Sequence, residues 1–130
     1  MSLAESPIVA FLATRDAPRA RAFYEGTLGL RVVADTPFAL VIDARGTTVR
    51  VQKVADFVPH PFTALGWSVA DMGKTIADLT ARGVRLERYD FVPQDPDGVW
   101  TTPDGAKVAW FKDPDGNTLS ITEPSPTAVG

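Results

Sequence analysis

The 130-residue chain repeats one order of predicted elements twice. In each half a short apolar strand leads to an Asp that opens a helix, the helix stops at a Gly, and further strands follow. The helix-opening residues Asp16 and Asp71 are 55 positions apart, and the helix-ending residues Gly29 and Gly83 are 54 apart. A β-α-β-β-β unit used twice is therefore the predicted architecture, because one such unit alone would expose an apolar sheet face.

Each half contains four predicted strands. Apolar runs bounded by turn residues predict strands in the first half at 8–14, 30–34, 38–43 and 47–53. The same criteria predict strands in the second half at 63–69, 84–89, 106–112 and 118–123. We expect one domain over residues 1–130, with module 1 at about 7–54, module 2 at about 62–123 and a flexible tail at 124–130.

The last hairpin of each half shows where the second half is longer. Gly46 matches Gly116 and Thr48 matches Thr118 at a constant offset of 70, whereas the helices match at 54 or 55. About 16 extra residues therefore lie between the predicted strands at 84–89 and 106–112. This segment, 90–105, is rich in Pro, Asp and Gly, and it is either a lid over a ligand or a packed surface hairpin. Residues 100–102 could also pair as a short extra strand.

Composition excludes several classes of function. A net charge of −3 gives no reason to expect nucleic acid or an anionic membrane as a partner. The lack of Cys excludes disulfides, thiolate catalysis and Cys-ligated metals. No apolar run approaches the length of a membrane span, and no signal pattern precedes the first strand. We expect a cytoplasmic protein.

Two motifs resemble the vicinal oxygen chelate superfamily, which includes glyoxalase I, bleomycin-resistance proteins and extradiol dioxygenases. Residues 21–30, RAFYEGTLGL, resemble its first helix, and residues 111–117, FKDPDGN, resemble the hairpin turn near its C-terminus. The resemblance covers about residues 7–123. It implies an α+β fold in which two tandem β-α-β-β-β modules form a curved mixed-sheet cup. It also implies a homodimer, because a second subunit commonly completes the cup in this superfamily.

The resemblance also locates the four positions that usually bind a metal ion in this superfamily. In this chain they are occupied by Val9, Arg50, Ala64 and Ser120. A divalent metal needs imidazole, carboxylate or carbonyl ligands, and a cation with two aliphatic side chains makes a poor site. We therefore expect no metal and no other cofactor. The single histidine, His60, lies between two prolines and is interpreted as an exposed linker residue; alternatively, it lies near the mouth of the cup as a general acid or base.

Strand alternation predicts which side chains face the cup. Valines and leucines at alternate positions should pack under the helices, which turns Arg50, Gln52, Ser120 and Thr122 to the other face. Arg50 with these polar groups suits a carboxylate, phosphate or enolate; alternatively, Arg50 pairs with an acidic side chain. Trp67 is predicted to be in the core. Trp100 and Trp110 are further ligand candidates. Alternation does not determine which face of the sheet Trp110 occupies.

Three functions remain compatible with these residues. The favoured one is a metal-independent protein that binds an apolar or aromatic small molecule carrying an anionic group, as bleomycin-resistance proteins sequester antibiotics. The alternative is a lyase, isomerase or dioxygenase-type enzyme of the same superfamily, with displaced metal ligands or with Arg50 as a metal-free electrophile. A third is an interaction domain whose cup is filled by its own side chains.

Overall fold

Each half of the chain builds its own four-stranded mixed sheet. The computed structural model describes residues 2–126, and these divide into one unit that ends at Pro59 and a second that begins at His60. The strand order is β1-β4-β3-β2 in the first unit and β5-β8-β7-β6 in the second. In both sheets the first pair is parallel and the other pairs are antiparallel. The predicted fold, two tandem β-strand modules with few helices, is confirmed.

The elements of the first unit follow the predicted order. After a short 3₁₀ turn at Leu3–Glu5, they are β1 (Val9–Thr14), α1 (Ala17–Arg21), a π-helical turn (Ala22–Thr27), β2 (Arg31–Asp35), β3 (Ala39–Ala44) and β4 (Thr47–Lys53). Each strand agrees with its predicted bounds to within one residue.

The second unit has the same order but a different third element. Its elements are β5 (Thr63–Ser68), α2 (Met72–Ala81), β6 (Trp100–Thr101), β7 (Lys107–Lys112) and β8 (Thr118–Glu123). The proposed pairing of residues 100–102 as a short strand is confirmed for the first two residues.

Aspartates begin both helices, as predicted. The Asp16 and Asp71 carboxylates each accept a hydrogen bond from the backbone N–H three residues later, at 3.1 and 3.0 Å. A cap of this kind stabilises a helix by about 1 kcal/mol. The Glu123 carboxylate, at the end of β8, accepts a further hydrogen bond from the backbone N–H of Met72 at 2.9 Å. The second helix is therefore fixed to the strand that carries Ser120 and Thr122.

Both sheets bury one face under their helix. In the first unit the buried face is made by Leu12, Leu40, Ile42, Val49 and Val51, all at most 5% exposed. In the second unit the buried face is made by Ala109, Phe111, Leu119 and Ile121, all at most 3% exposed. Each large side chain of this kind contributes about 1.5–3 kcal/mol by leaving water. We call these the helix faces and the opposite sides of the two sheets the open faces.

The predicted strand at 84–89 is wrong. This segment donates one backbone hydrogen bond to β7, from Glu87 N–H to the Trp110 carbonyl at 2.7 Å, and forms no ladder with the described residues. The Gln94 side chain supplies the partners that a neighbouring strand would have supplied. Its amide oxygen accepts from Tyr89 N–H at 2.7 Å, and its amide nitrogen donates to the carbonyls of Glu87 and Gly98 at 3.0 and 2.8 Å.

The C-terminal segment is anchored as far as the structure describes it. Ser125 is 4% exposed, and its hydroxyl donates to the Asp104 carbonyl at 2.6 Å. The predicted flexible tail extends to residue 130, and its residues 127–130 lie outside the described residues. Among the described residues, no helix is long and apolar enough to cross a membrane.

Candidate ligand-binding site

Four of the six predicted ligand residues lie on the open face of the second sheet. Ser120 is paired with Gly66 on one side and with Trp110 on the other. Thr122 is paired with Ser68 and Val108, and Val108 is paired in turn with Trp100. Residues opposite each other in a sheet point to the same face, so two hydroxyl side chains lie beside two indole rings.

The indoles belong to a cluster of four aromatic rings, Tyr89, Phe91, Trp100 and Trp110. The ring centroids of Trp100 and Trp110 are 6.2 Å apart with nearly parallel planes, at 18°. Tyr89 meets Trp110 edge-on at 5.4 Å and 85°, and Phe91 meets Tyr89 at 5.2 Å. These are favourable geometries for aromatic pairs. Phe91 is nevertheless 77% exposed, so the cluster presents ring surface to solvent.

The segment that replaces the predicted strand delivers half of this cluster. Gln94 ties together the backbone on both sides of the turn, and Tyr89 and Phe91 lie next to those ties. Gly98, at φ 91°, lies against Leu86: a Cβ added there would be 3.2 Å from the Leu86 Cβ. A side chain at this position would therefore be both strained and crowded. Tyr89 was not predicted as a site residue, since the sequence assigned it to a strand.

Tyr89 is a neutral phenol over the ordinary pH range. Burial raises its pKa above the usual 10.0, the nearby Glu87 carboxylate acts in the same direction, and the Thr118 hydroxyl opposes them. A neutral phenol can donate or accept a hydrogen bond at the edge of the ring cluster.

Close packing between β5 and β8 restricts the residue opposite Ser120. A Cβ added to Gly66 would lie 2.7 Å from the Ser120 hydroxyl oxygen and 3.3 Å from its carbonyl oxygen. Both distances are shorter than ordinary van der Waals contact, so any larger residue would displace Ser120. Gly66 thus keeps the open face flat beside the Ser120 hydroxyl.

A depression of about 400 Å³ adjoins this face, within the second unit. Gly66, Ser68 and Thr122 of the open face line it, together with Trp67 of the helix face, Asp104 and Ser125. No cationic side chain lines it. The depression therefore offers hydroxyls and one carboxylate beside a glycine.

The carboxylate of Asp104 is held by neutral donors. Its Oδ1 accepts from the Thr102 hydroxyl and from Ala106 N–H, while Oδ2 has no hydrogen-bond partner within residues 2–126. The Thr102 hydroxyl, followed by the Ala106 N–H, lowers the pKa of the Asp104 carboxyl below its usual 3.8. The group is thus ionised at neutral pH and has a free oxygen.

The other two predicted ligand residues, Arg50 and Gln52, lie on the open face of the first sheet. Arg50 is paired with Phe11 and Val41, both apolar. Within residues 2–126 the Arg50 guanidinium forms no ion pair or hydrogen bond, so the predicted acidic partner is not found there. Phe11 is 54% exposed, which makes this face apolar around one cation.

The four positions implied by the resemblance do not fit a metal ion. Val9 and Arg50 lie on β1 and β4 of the first unit, and Ala64 and Ser120 lie on β5 and β8 of the second. None of them supplies an imidazole or a carboxylate. No group of three or more His, Asp or Glu side chains in the described part of the chain could hold a metal.

Three further residues now have definite surroundings. Trp67 stacks on the buried Phe111 at 6.2 Å, on the helix face as predicted. Trp110 lies on the open face, which alternation alone had left undecided. His60 is exposed and stacks on Phe62 at 5.0 Å.

Comparisons with solved structures agree with this fold. TnmS3, an antibiotic binding protein from Streptomyces sp. CB03234, is 25% identical over 93% of this chain and 97% of its own, with a TM-score of 0.71. A member of the Glyoxalase/bleomycin resistance protein/dioxygenase superfamily from Sphaerobacter thermophilus DSM 20745 is 24% identical over 92% of this chain and 97% of its own, with a TM-score of 0.70. A lactoylglutathione lyase from Agrobacterium tumefaciens is 16% identical over 97% and 98%, with a TM-score of 0.69.

Sequence comparison gives the same family. No curated protein matches the chain significantly. The profile of the Glyoxalase/Bleomycin resistance protein/Dioxygenase superfamily matches residues 7–121, which include both units' sheets almost entirely. The chain therefore belongs to the Glyoxalase/Bleomycin resistance protein/Dioxygenase superfamily.

Proposed function

We propose that the protein binds a planar aromatic small molecule on the open face of its second unit, without a metal ion. The observation that carries this proposal is the aromatic cluster of Tyr89, Phe91, Trp100 and Trp110 directly beside the Ser120 and Thr122 hydroxyls. Binding sites for small molecules typically combine apolar and aromatic walls with a few polar groups that fix orientation.

Stacking supplies the affinity in this proposal. An aromatic pair in offset or edge-on geometry is worth about 0.5–1.5 kcal/mol beyond the apolar area it buries. Phe91 is largely exposed, and Trp100 and Trp110 are each partly exposed, so a ligand can cover ring surface that water now touches. The neighbouring hydroxyls would accept or donate hydrogen bonds to polar substituents.

One solved structure supports an antibiotic or similar metabolite as the ligand. TnmS3, which is 25% identical over nearly the whole chain, is described as an antibiotic binding protein. The positions that bind metal in the enzymes of the superfamily lack imidazole and carboxylate groups in this chain, which favours binding over metal catalysis.

On the open face of the first unit, Arg50 and Gln52 are proposed to contact an anionic group. An arginine flanked by Phe11 and Val41, with no acidic partner in the described residues, is available to a carboxylate, phosphate or enolate. Cytoplasmic location and assembly as a homodimer remain part of this proposal. The exposure of Phe11 and Phe38, at 54% and 75%, supports a second subunit, and sedimentation of a monomer at micromolar concentration would contradict it.

Three pyrenes with the same four-carbon arm test the proposal by calorimetry: pyrenebutanol, pyrenebutyric acid and pyrenebutylamine. We expect the uncharged pyrenebutanol to bind, and Trp110→Leu to weaken its binding about tenfold, which is about 1.4 kcal/mol. Phe111→Leu is the matched control, because this ring is buried on the helix face and lines no part of the depression described above. It should lower thermal stability but leave the affinity of the folded protein within about twofold.

The aromatic site and the anion contact at Arg50 can be contradicted independently of each other. If pyrenebutanol does not bind the wild-type protein, or binds Trp110→Leu equally well, the aromatic site is wrong. If Arg50→Gln leaves the binding of pyrenebutyric acid unchanged, the anion contact is wrong and the aromatic site stands.

A further inference from the structure

The depression next to the aromatic cluster has a charge opposite to that of Arg50. Among its lining residues, Asp104 is the charged one, and Ser68, Thr122 and Ser125 carry hydroxyls. Of these, the Ser125 hydroxyl is already engaged with the Asp104 carbonyl. A neutral or negatively charged group of a ligand would gain little binding free energy from contact with the Asp104 carboxylate.

The sheet register connects the depression with the aromatic cluster. Ser68 and Thr122 are opposite each other, Thr122 is opposite Val108, and Val108 is opposite Trp100. One row of cross-strand partners therefore runs from the depression to an indole. Strands lie about 4.8 Å apart, so the row spans roughly 15 Å, which is within the reach of a ring with a short flexible arm.

The Asp104 carboxylate is prepared to accept a hydrogen bond. The Thr102 hydroxyl donates to Oδ1, Ala106 N–H approaches the same atom at 3.5 Å, and Oδ2 accepts from no other residue within residues 2–126. The same donors fix the side chain, so little rotamer freedom remains to be lost when a ligand binds. Ammonium and guanidinium groups are the donors that form the strongest hydrogen bonds to an ionised carboxylate.

We propose that the depression lined by Gly66, Ser68, Asp104 and Thr122 binds the amine arm of the ligand whose ring lies on the aromatic cluster. This inference rests on the proposed function and narrows it to aromatic compounds that carry a primary or secondary amine. The ammonium group contacts Asp104 Oδ2, and hydroxyls of Ser68 and Thr122 line the path of the arm. Gly66 is required because any side chain there would fill the entrance and displace Ser120.

The pyrene series tests the inference directly. We expect pyrenebutylamine to bind about two- to fivefold more tightly than pyrenebutanol, which is the range for an exposed ion pair. Asp104→Asn keeps an oxygen acceptor for Thr102 and Ala106, and it should remove the preference for the amine while leaving pyrenebutanol unchanged. Raising the salt concentration should reduce the preference in the wild-type protein, since exposed charges are screened within about 10 Å at 0.1 M.

Two further variants distinguish this depression from charge in general. Asp97→Asn removes an exposed carboxylate of the same unit that lines a different depression, and the preference for the amine should survive it. Ser68→Leu fills the proposed path of the arm and should weaken both butyl compounds but not pyrene itself.

The inference is overturned if amine and alcohol bind the wild-type protein equally, or if the preference persists in Asp104→Asn. Either result with pyrenebutanol still bound leaves the aromatic site intact. A failure of all the pyrenes to bind would overturn the proposed function and this inference together.

Discussion

The two sheets have the same strand order but very different open faces. At the centre of the first sheet, Arg50 lies between Phe11 and Val41. At the equivalent place in the second sheet, Ser120 lies between Gly66 and Trp110. One scaffold thus presents a cation among apolar side chains in one unit and a hydroxyl between a glycine and an indole in the other.

A difference of one residue between the two hairpin turns explains why the Trp110 indole lies on the open face. In the first hairpin Asp43 pairs with Thr48, the counterpart of Thr118, and four residues, 44–47, lie between them, with Arg45 and Gly46 at positive φ. The second hairpin has a longer turn, 113–117, in which Asp113 Oδ1 accepts from the backbone N–H groups of residues 115 and 117 at 3.0 and 2.9 Å. The extra residue lies on the β7 side. It moves Trp110 to the open face, where a constant offset between the units would have put Phe111.

The extra segment between α2 and β7 accounts for the other rings. In the first unit β2 is a strand of five residues with one register shift, whereas in the second unit a two-residue strand and a loop tied by Gln94 take that place. The comparison teaches that the helix faces are set by the repeated pattern, while the open faces are set by turn length and insertion.

The sharpest test of this comparison is the contrast between neighbouring Phe111 and Trp110. Phe111→Ala should cost about 3–5 kcal/mol of unfolding free energy, because the ring is 1% exposed and leaves a cavity in the core. Trp110→Ala should cost less, about 1–2 kcal/mol, because the indole is partly exposed on the open face. Urea unfolding gives both values, and a larger cost for Trp110→Ala would reverse the assigned faces.

The loop that replaces the strand should depend on one side chain. Gln94→Ala removes three hydrogen bonds to backbone groups and should cost about 2–3 kcal/mol, since such groups are expensive to leave unpaired. Gln52→Ala is the matched control for stability. Gln52 is exposed, has no hydrogen bond of its side chain within residues 2–126, and should change stability by less than about 0.5 kcal/mol. Equal effects of the two substitutions in thermal or urea unfolding would exclude a structural role for Gln94.

The pair of Gly66 and Ser120 should show coupling. Gly66→Ala should cost roughly 1–2 kcal/mol because the new methyl group meets the Ser120 hydroxyl at 2.7 Å. Ser120→Ala should cost little by itself and should recover much of that loss in the double variant. A double-mutant cycle measures the coupling, and strictly additive free energies would mean that the contact is relieved elsewhere.

The smallest expected effect is the pH dependence of stability that comes from two carboxylates, Asp35 in the first unit and Asp104 in the second. The Asp35 carboxylate accepts a hydrogen bond from the Lys53 ammonium at 2.5 Å. This hydrogen bond is the main cause that lowers the pKa of the Asp35 carboxyl below 3.8. Asp104 has a lowered pKa because of neutral donors. In both cases the stabilisation is present above the ordinary pKa and is lost as pH falls from about 3.8 through the folded value.

Salt should separate these two carboxylates. Attraction between charges is screened by ions more strongly than hydrogen bonds from neutral donors are, so high salt should raise the pKa of Asp35 more than that of Asp104. A carboxyl NMR titration at low and high salt measures both groups in one sample. A similar rise for both would show that the Asp35 pKa does not depend on its ion pairs with Lys53 and Arg21.

Much of the fold was predictable from the sequence because it depends on local chemistry. The aspartate caps, the apolar alternation of β4 and β8, and most strand bounds follow from neighbouring residues alone. The segment at 84–89 was not predictable in this way, because its mixture of apolar and charged residues is compatible with a strand. The partner that competes for its backbone groups, Gln94, is polar and lies in a loop.

The candidate site was predictable only in part for a related reason. Ser120 and Thr122 follow from alternation within one strand, but the face of Trp110 depends on a turn with one more residue than its counterpart. Tyr89 joins the site through its contact with Trp110, a relation between distant residues that no spacing in the sequence reveals.

The two-residue strand β6 has a consequence for how the protein behaves in crowded solution. A long bare strand at the border of a sheet is a template on which other chains can add strands and start fibrils. Here the outer border of β7 is covered in pieces: β6 pairs with Lys107 and Val108, and Glu87 N–H caps the Trp110 carbonyl. Another chain finds no continuous row of free backbone groups there. The irregular loop that carries the aromatic rings thus also interrupts this border of the second sheet as a template for strand addition.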